Sequence, residues 1–385
     1  MNPRAEFDII VYGATGFTGR LVAEHLAARY GLDGEVKWAM AGRSAEKLVQ
    51  VRDEIGAPAG TPLIVADAGD AASVAAMVAR TRCVLTTVGP YQLYGSDLVA
   101  ACVDAGTDYL DLSGEPTWMA QMITAHHARA QETGARILFS CGFDSIPFEL
   151  GVFFVEGLAR TRFGGPVPTM KGRVRSMKGG LSGGTAASGA ATMAAIQKDP
   201  ALLGVMINPF SLTPGFQGPE QPRGDTTRFD EDLGQEVSPF MMATINTKNV
   251  HRSNQLQGHA YGADFTYEEM AVVIPGASTE FTSLGGAGGP QPGEGPSKEE
   301  RETGFYDLLF IGTGADGRQV RGSVYGDRDP GYGSTSKMIA ETAICLVHEA
   351  TDVPGGVWTP GAALGERLVK RLADRAGLSF KDETL

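Results

Sequence analysis

At 385 residues the chain is long enough for two or three domains with cores of their own. Its composition, 42% hydrophobic and 20% charged, is that of a soluble globular protein, and a net charge of −12 argues against a nucleic-acid partner, because phosphate neutralisation takes clustered Lys and Arg. Cys83, Cys102, Cys141 and Cys345 lie far apart with no Cys-x-x-Cys pair, so buried free thiols, a reducing compartment and no metal site are expected. The first residues run straight into a strand without room for a signal peptide, and no uncharged apolar stretch reaches the roughly 18 residues of a membrane span. A cytoplasmic protein is expected, with contact at a membrane surface left open.

From residue 7 to about 147, strand and helix alternate without a break. Strands are expected at 7–11, 36–41, 63–66, 83–88, 108–111 and 136–140, and helices at 16–30, 44–55, 71–80, 96–105 and 117–133. Six short strands rich in Val, Ile and Leu between amphipathic helices predict a doubly wound parallel sheet covered on both faces. After Pro147 the texture changes. A helix at 148–158, a strand at 169–177 and a helix at 186–197 lead to a turn-rich excursion over 200–230. Residues 257–275 and 304–326 alternate like antiparallel strands, with a Gly/Pro-rich loop at 285–296 between them. Helices close the chain at 334–351 and 360–376. The expected division is 1–147, a nucleotide-binding unit; 148–330, an α+β unit with the substrate; and 331–385, helices returning to the first unit.

The stretch Val11-Tyr12-Gly13-Ala14-Thr15-Gly16-Phe17-Thr18-Gly19 ends a strand, turns on three glycines and opens a helix. A dinucleotide site needs such a turn to aim a helix N-terminus at the pyrophosphate over bare backbone. Gly13, Gly16 and Gly19 are therefore the expected cradle, with Thr15 and Thr18 either binding phosphate or capping the helix, and Phe17 between them. The second strand ends Ala41-Gly42-Arg43-Ser44, with no carboxylate for a ribose 2′-hydroxyl. Arg43 and Ser44 suit a 2′-phosphate, so NADP(H) is the expected cofactor. Asp67 at the third strand end faces adenine or starts a helix. Val88, Gly89 and Pro90 break the fourth strand beside the expected cofactor path. Gly142-Phe143-Asp144-Ser145 leaves the sixth strand where the units change over, placed to line the nicotinamide pocket or to cap the next helix. Tyr91, Asp144 and Ser145 are the catalytic candidates, with Tyr94, Lys178 and Ser182 behind them. His251-Arg252-Ser253-Asn254 is expected in a solvated loop.

These residues resemble the saccharopine dehydrogenase-like oxidoreductases, and within them the trans-acting enoyl reductase branch of actinobacterial lipid synthesis. Besides the stretches above, Thr86-Thr87-Val88-Gly89-Pro90-Tyr91, Gly106-Thr107-Asp108-Tyr109-Leu110-Asp111 with Ser113-Gly114-Glu115, and Cys141-Gly142-Phe143-Asp144-Ser145-Ile146-Pro147 carry the resemblance, together with Ser182-Gly183-Gly184-Thr185 and Arg252-Ser253-Asn254. It implies a Rossmann unit, a second unit with a mixed sheet, and nicotinamide-dependent reduction of an acyl or polyketide lipid precursor. Such a substrate is a small molecule or an acyl chain on a carrier protein, and a homodimer is left open. The lysine-metabolism members read Gly-x-Asp-Pro-Gly at the sixth strand exit. This chain keeps Asp144 but continues Ser145-Ile146-Pro147, which moves the expected substrate from an amino acid toward a lipid. Two alternatives stand beside it. One is an imine or amino-acid dehydrogenase using Arg173, Arg175 and Lys178 against carboxylates; the other is a non-catalytic NADP(H)-binding protein.

Overall fold

The computed structural model describes residues 5–32, 34–179, 183–274 and 294–385, with no side-chain description at 183–186. Ser182 and residues 285–293 of the Gly/Pro-rich loop lie outside the described residues. The first part of the chain folds as β1 (Phe7–Tyr12), α1 (Phe17–Tyr30), β2 (Trp38–Gly42), α2 (Ala45–Glu54), β3 (Leu63–Val65), α3 (Ala71–Val78), β4 (Thr81–Thr86), α4 (Tyr91–Tyr94), α5 (Ser96–Ala105), β5 (Asp108–Leu110), α6 (Pro116–Thr133) and β6 (Arg136–Leu138). It continues as α7 (Ile146–Phe163), β7 (Thr169–Lys178), α8 (Gly183–Lys198), α9 (Leu202–Ile207), β8 (Arg228–Asp230), β9 (Gln235–Pro239), α10 (Ala243–Leu256) and β10 (Thr266–Val272). The remainder is α11 (Lys298–Thr303), β11 (Phe305–Thr313), β12 (Gln319–Gly326), α12 (Thr335–Ile344), β13 (Gly356–Trp358), α13 (Pro360–Arg375) and β14 (Leu378–Asp382).

The first sheet has the order β13-β6-β5-β4-β1-β2-β3 and is parallel throughout. The strand order reverses between β1 and β4, where open α/β sheets leave a crevice at the strand ends. The two faces of β1 are both buried, because side chains alternate along a strand. Ile9 and Val11 join a core that continues past α7 to Phe310 on β11, while Ile10 and Tyr12 pack with Val74, Leu98 and Met119 on the other face. The second sheet, β14-β12-β11-β7-β10-β9-β8, is mixed, with β10 parallel to β7 and the other pairs antiparallel. The expected parallel sheet and mixed second sheet are therefore both present. Residues 257–275 hold a strand, but one that runs parallel to β7 as well as antiparallel to β9. Among the described residues no helix is long and apolar enough to cross a membrane.

Three further features depart from the sequence reading. The closing segment supplies β13 to the first sheet and β14 to the second, strands too short and too mixed in composition to show a period. Next, His251-Arg252-Ser253-Asn254 is not a solvated loop but the buried middle of α10. Arg252 donates to the carbonyls of Leu212 and Val357, both at 2.7 Å, and Lys248 to that of Met206 at 2.8 Å. Polar residues go inside when most of their donors meet fixed acceptors, and here the acceptors include the turn-rich excursion that packs over the helix, leaving Arg252 Nε and His251 Nε2 without a partner among the described residues. Finally, Arg173 and Arg175 do not form a carboxylate clamp. Arg173 is fully buried between Asp230 (2.8 Å) and Glu268 (2.5 Å), and Arg175 binds Asp307 and Glu383. Their charges are spent within the second sheet. Arg173→Met would leave Asp230 and Glu268 without their shared cation, a loss of about 3–5 kcal/mol. Urea unfolding should show it as a lower midpoint at unchanged slope.

Candidate active site

The turn after β1 explains its three glycines separately. Gly13 has φ +91°, and a Cβ there would stand 2.8 Å from Val88 Cγ2 and 2.9 Å from Thr87 Oγ1. Its N–H and that of Ala14 donate to the Ala41 carbonyl, at 3.0 and 3.1 Å, which ties the turn to the end of β2. Gly16 is the N-cap of α1 and supplies no side-chain cap, so the first helical N–H groups have no side-chain acceptor from it. At Gly19 a Cβ would fall 2.1 Å from the Gly13 carbonyl oxygen, so only glycine lets α1 pack this close to the turn. A bare, uncapped helix start at the topological switch point fits a dinucleotide pyrophosphate.

The other expected cofactor residues ring this cradle. Thr15 is half-buried beside Gly42, and Thr18 lines the cavity described below. Phe17 turns away, edge-on to Tyr332 at 5.2 Å and beneath the Arg301 guanidinium at 5.6 Å. Arg43 is exposed at the tip of β2, and among the described residues it forms no salt bridge. Ser44 caps α2, accepting from Lys47 N at 3.2 Å. Asp67, exposed beyond β3, accepts from Gly69 N at 2.9 Å. Val88 rests over Gly13, its N–H on Thr86 Oγ1 at 3.2 Å, and the Gly89–Pro90 bond is cis. A Cβ on Gly142 would stand 2.9 Å from both Leu112 and Thr335 side-chain carbons. Phe143 N–H donates to Thr335 Oγ1 at 3.0 Å while its ring packs against Phe148 and Tyr306.

A cavity of about 400 Å³ opens beside this turn. Thr18, Thr87 and Gly89 form its nucleotide side; Met193, Met206, Met241, Met242 and Ile245 form the opposite wall, with Leu112 and Phe143 between. Asp144 faces it from the exit of β6, and burial raises its carboxyl from the ordinary range to about 7. Ser145 is buried beneath and accepts from Asn249 Nδ2 at 2.8 Å. Tyr91 borders the cavity with its hydroxyl already engaged, donating to the Thr86 carbonyl at 3.4 Å and accepting from Leu112 N at 3.1 Å. Its ring stacks on Trp118 at 5.8 Å, and burial pushes the phenol well above its usual range. Of the secondary candidates, Tyr94 is half exposed and Lys178 donates to Thr303 Oγ1 at 3.1 Å; neither lines the cavity.

Two carboxylates do structural work that no isolated residue pattern signals. Glu115 lines the cavity and accepts from the N–H groups of Tyr91 (2.9 Å) and Gln92 (2.8 Å) and from Ser188 Oγ (2.9 Å). Asp111 accepts from Ser113 N, Ser140 N and the Tyr109 hydroxyl, and burial lifts its carboxyl to about 7. Both belong to the stretches that carry the resemblance, where their residue types stood without a role. A third, Glu269 on β10, accepts from Asn246 Nδ2 at 2.7 Å and the Tyr267 hydroxyl at 2.9 Å.

The parallel sheet, the glycine cradle and the cavity beside it define a nicotinamide-dependent oxidoreductase. Residues 9–138 match the saccharopine dehydrogenase NADP-binding domain. A Mycobacterium tuberculosis protein provisionally named a trans-acting enoyl reductase is 38% identical over 420 residues, covering 100% of this chain and 99% of its own. A Mycobacterium bovis trans-acting enoyl reductase is 37% identical over 410 residues, 97% of each chain. Saccharopine dehydrogenase (L-Glu forming) of Saccharomyces cerevisiae has the same fold, with a TM-score of 0.58 at 12% identity over 98% of this chain and 100% of that one. The chain belongs to the saccharopine dehydrogenase-like oxidoreductases, in the branch of the trans-acting enoyl reductases, and it carries an NADP-binding domain.

Tyr91→Phe would strand the buried Leu112 N–H and should lower stability by about 1–3 kcal/mol in chemical denaturation.

Proposed function

We propose that the chain uses NADPH to reduce the carbon–carbon double bond of an α,β-unsaturated acyl thioester delivered by a carrier protein. The observation that carries this reading is the cavity lining: it is rich in methionine and, among the described residues, contains no Lys, Arg or His. Outside the described residues Arg4 is the one Lys, Arg or His in the sequence. Saccharopine-type substrates bear several carboxylates, and burying those without cations costs several kcal/mol. An apolar chain meets no such cost, and methionine walls adapt to its shape. The name shared by the relatives supports the same reaction, and the words trans-acting support a substrate brought by a separate protein. In this reading residues 1–147 hold the nucleotide, 148–330 the acyl chain, and 331–385 join the two.

Bound NADPH supplies a hydride to the β-carbon. The balancing proton for the α-carbon comes from the Asp144 carboxyl, which desolvation beside the cavity raises to about 7 and so leaves partly protonated at neutral pH. Tyr91 and Ser145 act as positioning residues, the first by joining the end of β4 to Leu112, the second by fixing the backbone beside Asp144 through Asn249. Gly13, Gly16 and Gly19, with Thr15, Thr18 and the flanking Phe17, form the pyrophosphate cradle. Arg43 and Ser44 meet the 2′-phosphate, Asp67 the adenine, and Val88, Gly89, Pro90, Gly142 and Phe143 border the nicotinamide half.

Arg43→Ala should raise the Kd for NADPH about tenfold or more while leaving NADH unchanged, in a fluorescence titration. Asp144→Asn should lower kcat on a short enoyl thioester by about 10²–10⁴ without changing NADPH affinity. Because the protonated form acts, wild-type kcat should be level at acid pH and fall as pH rises through about 7. Turnover with 2-oxo acid and amine pairs, and none with enoyl thioesters, would overturn the proposal.

A further inference from the structure

We propose that a second groove, lined by cations and sharing a wall with the active-site cavity, holds the phosphate of the phosphopantetheine arm on which a carrier protein presents the acyl thioester. The inference rests on the reading of the substrate as carrier-borne.

The groove, of about 170 Å³, lies between α1 and the segment that leads into α12. Gly331, Tyr332 and Thr335 of that segment line the cavity, whereas Gly333, Ser336 and Lys337 line the groove. Tyr332 and Gly333 are consecutive, with Cα atoms about 3.8 Å apart, a span that the two amide units of the arm exceed. Asp329 makes this wall stiff. Its carboxylate accepts from the N–H groups of Gly331 (3.1 Å), Tyr332 (3.3 Å) and Gly333 (2.6 Å), and its own N–H donates to the Arg301 carbonyl at 3.1 Å. Arg301 is thereby fixed where the groove meets the cavity, its guanidinium over Phe17, which is edge-on to Tyr332.

Four cations, Lys298, Arg301, Arg328 and Lys337, line the groove against two carboxylates, Glu24 and Glu302, in a chain whose net charge is −12. None of the four is locked to carboxylates as Arg173 and Arg175 are. Arg301 donates to the Pro296 carbonyl at 2.6 Å, and Arg328 to that of Asp327 at 2.7 Å with the Asp327 carboxylate at 3.5 Å. Lys298 stands 3.9 Å from Glu302. Lys337 is half-buried, and its ammonium has no hydrogen-bond or salt-bridge partner among the described residues. Desolvation works against its charge, Arg328 and Arg29 repel it, and Asp327 and Glu302 attract it only from beyond salt-bridge distance. The other basic group here, His25, is turned to Glu341 at 2.7 Å.

A partly desolvated cation without acceptors gains most from an anion that offers several oxygens at once. Arg and Lys together suit a phosphate, the first by its fork and the second as a point charge. The nucleotide phosphates have their own places in the proposed reading, at the glycine turn and at Arg43. The anion for this groove therefore comes with the second substrate, and an acyl thioester has none except on the arm that presents it.

The test uses the full chain saturated with NADP+ and two ligands that cannot be reduced, the butyryl thioesters of phosphopantetheine and of pantetheine, which differ only in the phosphate. In isothermal titration calorimetry the phosphorylated ligand should bind about tenfold or more tighter. That ratio should shrink as salt is added, and it should fall toward one in Lys337→Met and in Arg328→Gln. Equal binding of the two ligands by wild type, or an unchanged ratio in both variants, would overturn the proposal. So would inorganic phosphate binding as tightly as the phosphorylated thioester, which would make the groove a site for the free ion. Tighter binding of butyryl-coenzyme A than of butyryl-phosphopantetheine would also overturn it, in favour of a nucleotide-borne thioester. Should one variant fail to fold, the other decides. Absence of enoyl turnover in wild type would instead overturn the proposed reaction, leaving the calorimetry to judge the groove.

Discussion

The arrangement of the whole junction depends on a row of buried hydrogen-bond donors along α10. Asn246, Asn249 and Ser253 lie three and four residues apart, hence on one face. Their acceptors come from three different places: Glu269 on the second sheet, Ser145 at the exit of the first, and Glu149 on α7 at 2.8 Å. Glu149 is bound in turn by Gly361 N, and Ser253 also meets Thr359 at 2.6 Å, so the row reaches into the start of α13. In an apolar interior each broken member leaves a group unsatisfied at about 1–3 kcal/mol. Apolar packing tolerates sliding; a row of matched donors and acceptors does not. The row therefore sets the height at which Asp144 stands beneath the cavity.

The segment that leads into the first residue of α12 does the corresponding work on the nucleotide side. Thr335 accepts from Phe143 N–H and donates to the Pro330 carbonyl at 2.8 Å, while Tyr332 closes edge-on over Phe17 in the first turn of α1. One short segment thus touches the helix that would receive the pyrophosphate and the loop that carries Asp144. Asp111 and Glu115 fix the crevice from below by collecting backbone N–H groups, which makes their negative charge part of the scaffold.

The nucleotide half was legible because its signals are local. Gly13, Gly16 and Gly19 sit within one turn, and each β-strand up to β6 is a short apolar run beside a helix. Arg43 drew attention through the missing carboxylate at the tip of β2, and it stands there exposed. The second half hid its logic in long-range pairs. Arg173 and Arg175 do share a strand face, as alternation requires, but Asp230, Glu268, Asp307 and Glu383 come from distant parts of the chain. Nothing in local spacing shows that those partners exist. The stretch from Asn246 to Asn254 reads as solvated for the same reason: its polarity is visible in sequence and its acceptors are not. Asp144 stood out by its place at a strand exit, whereas Glu269 lies inside an ordinary strand and acquires its character only from what packs against it.

The two late strands have a consequence for how the chain reaches this state. β13 and β14 each complete one end of a sheet, and both lie between residues 356 and 382. During synthesis β6 and β12 therefore wait with an unpaired row of backbone groups until residues 356–382 have left the ribosome. Such edges are templates for pairing with other chains. The exposure to misassembly thus lasts until residues 356–382 emerge, and shielding by chaperones matters up to that point.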